Sequence, residues 1–286
     1  MSDTKNTSLN NAKKAKNDEF YTNLSDIEKE VVNYKEHFKN KVVLCNCNDA
    51  LHGNFAKYFS LNFEKLGLKK LICSSYGENA MLYEYYGDKN GNNVPDIEEW
   101  SSRKLNGDGS FSSEEMITVL KESDIVVTNP PFSLFRQFVT LLLTLNKKFL
   151  IIGNMNGITY SEVFPSIKNN KMWLGTQYVK QFITDNGEVK KFGNILWYTN
   201  LTHNKRNTPL DLYRHYSEDE FPHYDNYNAI NVSKTCDIPM DFNGIMGVPI
   251  TFLEKYCPTQ FEIVDRINCP SLHGKKIYKR LLIKRK

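Results

Sequence analysis

The segment Asn129-Pro130-Pro131-Phe132 combines residue types that suit chemistry on an amino group attached to an aromatic ring. Such a nitrogen is a poor nucleophile because its lone pair is delocalised into the ring. The side-chain oxygen of Asn129 and the backbone carbonyl of Pro130 can each accept one of its N–H bonds, which localises the lone pair. Proline fixes φ and keeps the preceding residue extended, so these carbonyls are held in place. Since Phe132 can stack on the ring, the four residues predict methylation of an exocyclic amine, such as that of adenine.

The expected methyl donor is S-adenosylmethionine, whose sulfonium leaving group is already activated. No strongly basic catalyst is then required, and the protein's task is orientation and polarisation of the amine. A second interpretation stays open at this point, in which Asn-Pro-Pro is only a turn that ends a strand.

The elements around this segment predict the edge of a mostly parallel sheet. An apolar run at 124–128 precedes it and predicts a buried strand, and the run at 133–145 predicts a helix. Helices are predicted near 24–38, 53–66, 112–122 and 133–145, and strands at 41–46, 69–74, 124–128 and 147–152. Alternating strands and helices indicate a parallel α/β sheet, which binds its ligands at the carboxyl ends of the strands.

The remaining segments predict less regular structure. Apolar runs at 172–183 and 193–201 flank Asp185-Asn186-Gly187, which predicts an antiparallel hairpin at the end of the sheet. A Gly/Asn-rich excursion occupies 87–110, and 203–250 is expected to be rich in loops. From Gly274 onwards, groups of basic residues flank Tyr278 and the apolar run at 281–283, which predicts a final strand with a basic exposed face. It would contact phosphate, or it would be a solvated edge strand that lysines protect.

Composition bounds the domain organisation and the class of the protein. The 286 residues, of which 40% are hydrophobic, suffice for one large domain with an appendage. We expect a flexible basic tail at 1–17, a catalytic domain at 18–202 and a loop-rich region at 203–286 that packs on it and carries the elements that recognise the substrate. The six cysteines form no disulfide framework, which predicts a cytoplasmic protein, and no apolar run reaches the roughly 20 residues of a membrane span.

The end of the first predicted strand offers candidate cofactor contacts. Cys45 and Asn46 lie at that end, and Asp49 and Gly53 follow it. Asp49 is expected to meet the methionine end of the cofactor, and Gly53 to let the backbone approach. Two alternatives stay open: Asp49 caps a helix, and Cys45 belongs to the core.

Two later segments add candidate contacts to the same cofactor. The second predicted strand ends at Ser74, where ribose-binding enzymes usually offer a carboxylate. Asp108, within 107–111, is placed to accept a hydrogen bond from the adenine of the cofactor, unless Gly-Asp-Gly is only a turn.

No metal site is predicted. Residues 88–99 place Asp88, Asn90, Asn92, Asp96 and Glu99 at positions of a calcium-loop pattern, but Asn93 stands where glycine is required. This segment is interpreted as a surface loop.

The Asn-Pro-Pro-Phe segment resembles motif IV of amino-group methyltransferases, and other segments extend the resemblance. Residues 18–22, Asp-Glu-Phe-Tyr-Thr, look like motif X, and 45–49 look like the motif I region without its usual Gly-x-Gly. Together with 107–111 and 152–156, they are similar to the EcoRI-type adenine-specific DNA methyltransferases over roughly residues 17–286. The resemblance implies a Rossmann-like class I methyltransferase fold and the γ order of motifs.

The resemblance also implies roles for individual residues. Asn129, Pro130 and Phe132 would hold the target adenine, and Trp197 or Tyr198 would contact the flipped base unless Trp197 is a core aromatic. Cofactor contacts would come from the motif X and motif I regions and from the loop at 107–111, that is from Phe20, Tyr21, Thr22, Asp49 and Asp108.

These inferences predict a site-specific N6-adenine methyltransferase that acts on duplex DNA and flips its target base. Lys205, Arg206, Lys279 and Arg280 are the candidate phosphate contacts. A monomer is expected, with a cognate restriction endonuclease as partner. Two alternatives stay open: an amine methyltransferase of RNA or of a protein glutamine, and a DNA-binding protein whose methyltransferase fold is inactive.

Overall fold

The protein is described from a computed structural model that covers residues 21–46, 53–183 and 188–286. The predicted tail at 1–17, Phe20, Asp49 and the turn at 185–187 lie outside the described residues, and only the backbone of Tyr21 is described.

The described residues form short strands and short helices in the expected alternation. The strands are β1 (Tyr21–Thr22), β2 (Val42–Cys45), β3 (Lys70–Ser74), β4 (Met81–Tyr85), β5 (Trp100–Lys104), β6 (Ile125–Thr128), β7 (Lys148–Asn154), β8 (Trp173–Tyr178), β9 (Gln181–Ile183), β10 (Val189–Lys191), β11 (Ile195–Thr199), β12 (Ile230–Asn231), β13 (Met246–Pro249), β14 (Phe261–Ile267), β15 (Ser271–Leu272), β16 (Lys275–Lys276) and β17 (Arg280–Arg285). The α-helices are α1 (Leu24–Val31), α2 (Lys35–Phe38), α3 (Asn54–Leu61), α4 (Phe63–Leu66), α5 (Glu114–Glu122), α6 (Phe135–Thr144) and α7 (Phe164–Lys168).

The chain divides into two compact units. The first contains the described residues up to Gly157 together with Gln177–Leu201, and the second contains Ile158–Thr176 and Thr202–Lys286. The predicted boundary lies at 202/203, and sequence analysis did not anticipate that 158–176 would join the second unit. No helix among the described residues is long and apolar enough to cross a membrane.

The large sheet has the strand order β5-β4-β3-β2-β6-β7-β11-β8. Its four inner strands β3, β2, β6 and β7 are parallel, as predicted. The chain builds β3 on one side of β2 and later places β6 on the other side, so the strand order reverses between β2 and β6. This arrangement confirms the Rossmann-like α/β fold.

Both faces of the inner strands are covered by apolar side chains. On one face, Val43 and Cys45 of β2 and Trp197 of β11 join a buried cluster with Phe55 and Phe59 of α3. On the other face lies α6, whose buried residues Phe135, Phe138, Val139 and Leu142 recur at helical spacing. Strands that are buried on both faces read as continuous apolar runs, which is why the sequence predicted them well.

The predicted excursion at 87–110 is wrong in part, because it contains a strand. β4 pairs antiparallel with β3, and β5 pairs antiparallel with β4 from Trp100↔Tyr85 to Lys104↔Met81. Four of the five residues of β5 are exposed, so this edge strand lacks the apolar pattern that would have identified it.

The predicted terminal hairpin is divided between two sheets. β9 pairs antiparallel with β1 and with β10 in a three-stranded sheet. β8 and β11 are hydrogen-bonded neighbours in the large sheet, as the predicted hairpin requires, and β11 also pairs antiparallel with β7. The run at 172–183 therefore contains two strands, β8 and β9, that serve different sheets.

The second unit contains a four-stranded sheet in the order β12-β13-β17-β14. The predicted final strand exists as β17, but the edge-strand interpretation is wrong because β17 pairs with β13 on one side and β14 on the other. The reason is visible in Leu281, Leu282 and Ile283, which are all buried, so this strand is covered on both faces.

A glycine of β7 tests how tightly α6 packs on the sheet. A Cβ at Gly153 would overlap the ring of Phe135, whereas nothing lies within 4 Å of a Cβ at Gly193. We expect Gly153→Ala to lower the free energy of unfolding by about 1–3 kcal/mol, since the buried ring must shift. Urea unfolding measures this, with Gly193→Ala as the matched control. Equal stability of the two variants would contradict the packing described.

Candidate active site

The crevice between β2 and β6 is the centre of the candidate site. These neighbouring strands pair only at Val43↔Ile125 and Leu44↔Val126. The flanking pairs extend further, to Cys45↔Cys73 on one side and Thr128↔Ile151 on the other. β2 and β6 therefore separate at their carboxyl ends, where the strand order reverses and ligands of open α/β sheets bind.

A side-chain hydrogen bond spans the mouth of this crevice. The hydroxyl of Thr128 donates to the backbone carbonyl of Asn46 at 2.6 Å, and both residues are buried. The bond joins the end of β2 directly to the residue before Asn129. Sequence analysis missed Thr128, although a hydroxyl at the end of an otherwise apolar strand was a signal that could have indicated it.

The Asn-Pro-Pro-Phe segment continues β6 and is anchored by the helix that follows. The amide of Leu134 donates to the carbonyl of Pro131 at 2.9 Å, which forms a turn, and α6 begins at Phe135. The Phe135 ring packs on the ring of Tyr198, 5.0 Å between centroids. The hydroxyl of Tyr198 donates to the carbonyl of Asn154 at 2.7 Å. Pro130 is buried, and Asn129 is half-buried.

Phe132 links this segment to the short sheet that contains the predicted motif X. Its half-buried ring meets the edge of Phe182 on β9, 6.1 Å between centroids. Phe182 is the strand partner of Thr22, whose carbonyl accepts a hydrogen bond from the Asn54 amide at 2.8 Å. Asn54 is the first residue of α3, which follows β2 in the chain. The structure thus brings together three segments that are distant in sequence.

Two buried hydroxyls provide the best indication of a polar ligand. Ser74 is fully buried at the end of β3, and Thr22 is 3% exposed. Neither Ser74 Oγ nor Thr22 Oγ1 has a hydrogen-bond partner among the described residues. A buried hydroxyl without a partner costs free energy unless a ligand completes it. Both residues were predicted cofactor contacts, and a ligand with hydroxyl, amino and carboxylate groups such as S-adenosylmethionine fits them.

The loop at 107–111 reaches the same edge of the sheet. Gly109 has φ +75°, and a Cβ there would clash with the carbonyl of Ser75, so only glycine allows this approach. The carbonyl of Asp108 accepts the amide of Gly77 at 2.9 Å, and its side chain accepts the amide of Ser110 at 2.9 Å. The loop is a Gly-Asp-Gly turn, and it also places Asp108 beside the end of β3.

Other predicted cofactor residues lie nearby in different roles. The side chain of Cys45 belongs to the core cluster, and burial raises the pKa of its thiol, so the core interpretation is favoured. Asn46 is buried at the crevice. Gly53 precedes α3 with φ −76°, a conformation that any residue adopts.

The two predicted base-contacting aromatics are both enclosed. Trp197 is fully buried and meets the edge of Phe55 at 6.0 Å, and Tyr198 is fully buried on the opposite face of β11. Their placement favours the interpretation that they are core aromatics. Tyr198 packs on Phe135, the first residue of the helix that follows Asn129-Pro130-Pro131-Phe132.

The predicted phosphate contacts all lie in the second unit, where each also makes contacts within the protein. The Lys205 ammonium donates to the carbonyl of Thr176 at 2.9 Å, and that of Lys279 donates to the hydroxyl of Thr159 at 3.0 Å. Arg280 is half-buried and donates to the carbonyl of Tyr278 at 3.1 Å.

Arg206 is the most strongly held of these cations. Its guanidinium lies 4.1 Å from the ring centroid of Trp173 and 5.7 Å from that of Tyr256. It also donates to the side-chain oxygen of Asn170 at 2.7 Å. Stacking and a directed hydrogen bond give Arg206 a structural role in the second unit.

The predicted calcium-like loop is closed by its own hydrogen bonds. Asp88 accepts the backbone amides of Asn90, Gly91 and Asn93, and Asp96 accepts the side-chain amides of Asn90 and Asn92. Within the described ranges, no group of three or more His, Cys, Asp or Glu residues is arranged to hold a metal ion.

Comparison with known proteins gives one consistent result. A family model described as "Adenine-specific methyltransferase EcoRI" matches residues 8–286. Similar proteins include the type II methyltransferase M.EcoRI of Escherichia coli, which is 47% identical over 98% of this chain and 97% of its own length. The type II methyltransferases M.MgeORF184P of Mycoplasma genitalium and M.MpnI of Mycoplasma pneumoniae are each 40% identical, over 97% and 92% of this chain and 98% and 86% of their own lengths. No solved structure gives a significant match.

The role of Arg206 can be tested with a substitution that keeps its charge. We expect Arg206→Lys to lower the free energy of unfolding by about 1–2 kcal/mol, because lysine lacks the planar group that stacks on Trp173. Lys205→Gln, at an exposed neighbour, should change it by less than about 0.5 kcal/mol. Thermal unfolding measures both. Unchanged stability of Arg206→Lys would show that the stacked guanidinium does not support the fold.

Proposed function

The chain belongs to the EcoRI family of adenine-specific methyltransferases, and from this premise we propose that it methylates the N6 amino group of adenine at a specific site in duplex DNA, with S-adenosylmethionine as methyl donor. The proposal agrees with the similarity to type II methyltransferases over almost the whole chain.

One observation supports the proposal more than any other. Asn129-Pro130-Pro131-Phe132 follows β6 at the crevice where the strand order reverses. Thr128, the residue before Asn129, is hydrogen-bonded to Asn46 at the end of β2. The buried hydroxyls of Ser74 and Thr22 have no hydrogen-bond partner among the described residues. Ser74 lies at the carboxyl end of β3, and Thr22 pairs with Phe182, whose ring contacts Phe132. The proposed amine clamp, Asn129 and Pro130, and the proposed cofactor contacts, Ser74 and Thr22, therefore lie on elements that contact or follow one another.

The proposed division of tasks follows from the chemistry of each group. S-adenosylmethionine supplies an electrophilic methyl group when it is bound. Ser74, Thr22, Asn46 and Asp108 are the described residues that would hold it. The side-chain oxygen of Asn129 and the carbonyl of Pro130 would accept the two N–H bonds of the adenine amino group and so localise its lone pair. The proton would leave afterwards to water.

The target adenine must leave the base stack before it can reach these acceptors. The half-buried ring of Phe132 is the described aromatic that would stack on the extruded base. It is steadied by Phe182, which itself meets Phe192 edge to face at 5.5 Å. Aromatic support of this kind limits the positions that the stacking ring can take.

We assign contacts to the DNA backbone to the second unit. Lys205 is exposed there, and Lys279 and Arg280 lie next to each other at the start of β17. Such cations attract phosphate without reading sequence. A cognate restriction endonuclease, a monomeric enzyme and a cytoplasmic location complete the proposal.

The proposal is tested by methyl transfer from labelled S-adenosylmethionine to unmethylated duplex DNA, with RNA and a protein mixture as competing substrates and modified bases mapped by sequencing. Methyl-adenine at one short motif is the expected result. Methyl transfer to RNA alone or to protein alone would show that DNA is not the substrate. Cofactor binding without transfer to any of them would favour an inactive DNA-binding protein.

The amine clamp predicts separate effects on chemistry and on binding. Asn129→Ala should lower the methyl-transfer rate by at least about a hundredfold, since an acceptor for the developing charge is lost. Its affinity for S-adenosylmethionine should stay nearly unchanged in calorimetry. Asn129→Asp, which keeps acceptor oxygens, should retain more activity than the alanine variant. Equal losses of rate and of cofactor affinity would contradict the role of Asn129.

The buried hydroxyl of Ser74 predicts opposite effects on stability and on binding. Ser74→Ala should leave the melting temperature of the ligand-free protein unchanged or higher, because the hydroxyl has no described partner. It should weaken S-adenosylmethionine binding by about three- to tenfold, the value of one hydrogen bond.

Ser123 provides the matched control. It is equally buried, and its hydroxyl donates to the carbonyl of Leu120 at 2.8 Å. Ser123→Ala should cost about 1 kcal/mol of stability and leave cofactor affinity unchanged. If Ser74→Ala binds the cofactor as tightly as the wild-type protein, Ser74 is not a contact.

A further inference from the structure

We infer that Thr128 is a positioning residue, whose hydroxyl fixes the distance between the cofactor end of β2 and the catalytic end of β6. The inference rests on the proposed function, since it assigns Asn46 to the cofactor side and Asn129 to the adenine side. It adds a residue that neither the Asn-Pro-Pro-Phe pattern nor the other motifs contain.

The first argument is the geometry of the strand pair. Backbone pairing between β2 and β6 ends at Leu44↔Val126, two residues before Thr128. β6 continues to pair with β7 through Thr128↔Ile151, and β2 continues to pair with β3 through Cys45↔Cys73. Each strand is thus held by its outer neighbour, and the two could vary in separation at the crevice. The bond from Thr128 to Asn46 replaces the missing backbone ladder there.

The second argument is the strength and stiffness of this bond. Thr128 is 1% exposed and Asn46 is 1% exposed, so water does not compete for the bond. A buried hydroxyl that lost its acceptor would carry an uncompensated desolvation cost. Threonine is also β-branched, which restricts χ1 and so holds the hydroxyl in place relative to the backbone of β6.

The third argument is what the bond connects. Thr128 is joined by one peptide bond to Asn129, and Asn46 directly precedes the segment that carries Asp49. Methyl transfer requires the amine and the methyl carbon to be aligned, and a displacement of about 1 Å can lower the rate roughly a hundredfold. A bond that sets the separation between the ends of β2 and β6 therefore affects the rate of methyl transfer. Binding of the cofactor alone uses the end of β2, and binding of the adenine alone uses the end of β6.

The test compares two variants that differ by the hydroxyl alone. Thr128→Ser keeps the hydroxyl and Thr128→Ala lacks it, while both lose the methyl group. The single-turnover methyl-transfer rate at saturating DNA and S-adenosylmethionine is measured, with the dissociation constant of each. We expect the alanine variant to be slower than the serine variant by about tenfold to a hundredfold, with dissociation constants within about threefold of wild type.

Thr199 supplies a control in the same sheet. It is fully buried, and its hydroxyl donates to the carbonyl of Phe149 at 2.7 Å. Phe149 lies near the start of β7, at the amino edge of the parallel strands and away from the crevice. Thr199→Ala and Thr199→Ser should differ in thermal stability as the Thr128 pair does, but they should share the wild-type single-turnover rate.

The outcomes separate this inference from the proposed function. If the wild-type protein transfers no methyl group to DNA, the proposed function is wrong, and the inference about Thr128, which rests on it, is wrong as well. If the wild-type protein is active and the two Thr128 variants have the same rate, or the Thr199 pair shows an equal loss, the inference alone is overturned. Should Thr128→Ala not fold, Thr128→Val, which has a methyl group in place of the hydroxyl, is compared with the wild-type protein, and the same loss of single-turnover rate is expected.

Discussion

The separation of β2 and β6 at their carboxyl ends is the constraint on which the candidate site depends. These parallel strands share only two backbone pairs, and each is paired over more residues with its outer neighbour, β3 or β7. The crevice between β2 and β6 has polar groups at its opening and buried apolar side chains around the strands that form it. Thr128 and Asn46 provide the first, and the core clusters on both faces of β2 and β6 provide the second.

The groups that this crevice collects are mainly uncharged. Asn129, Thr128 and Ser74 offer amide or hydroxyl groups whose charge does not change with pH, and the Pro130 and Asn46 carbonyls are fixed dipoles. Such a set suits a reaction in which the donor is already activated and the acceptor must be polarised and oriented. Aromatic contacts add positional control: Phe135 rests on Tyr198 below the catalytic segment, and Phe132 meets Phe182. The site therefore depends more on packing than on acid–base groups.

Sequence patterns predicted the parts of the fold whose cause is local. The inner strands were predictable because burial on both faces makes them continuously apolar, and Asn129-Pro130-Pro131-Phe132 was recognisable because proline constrains its own neighbourhood. β5 was missed because its exposed residues have no apolar period. β17 was predicted as a strand, but the edge-strand interpretation, one of two left open, was wrong because the neighbouring lysines and arginines do not reveal that Leu281, Leu282 and Ile283 are all buried. The hydrogen bond of Thr128 was not predicted because its partner, Asn46, lies 82 positions earlier in the chain. Trp197 or Tyr198 was predicted to contact the base, with a core role for Trp197 left open, and the burial of both depends on tertiary packing that the sequence pattern does not specify.

The most direct measurement of the central claim is an experimental structure of the protein with S-adenosylhomocysteine. We expect the ligand to occupy the carboxyl edge at β2 and β3, with hydrogen bonds to the hydroxyls of Ser74 and Thr22 and with its sulfur directed towards Asn129. A ligand bound elsewhere, with both hydroxyls still unpartnered, would contradict the claim that the reversal between β2 and β6 builds the active site.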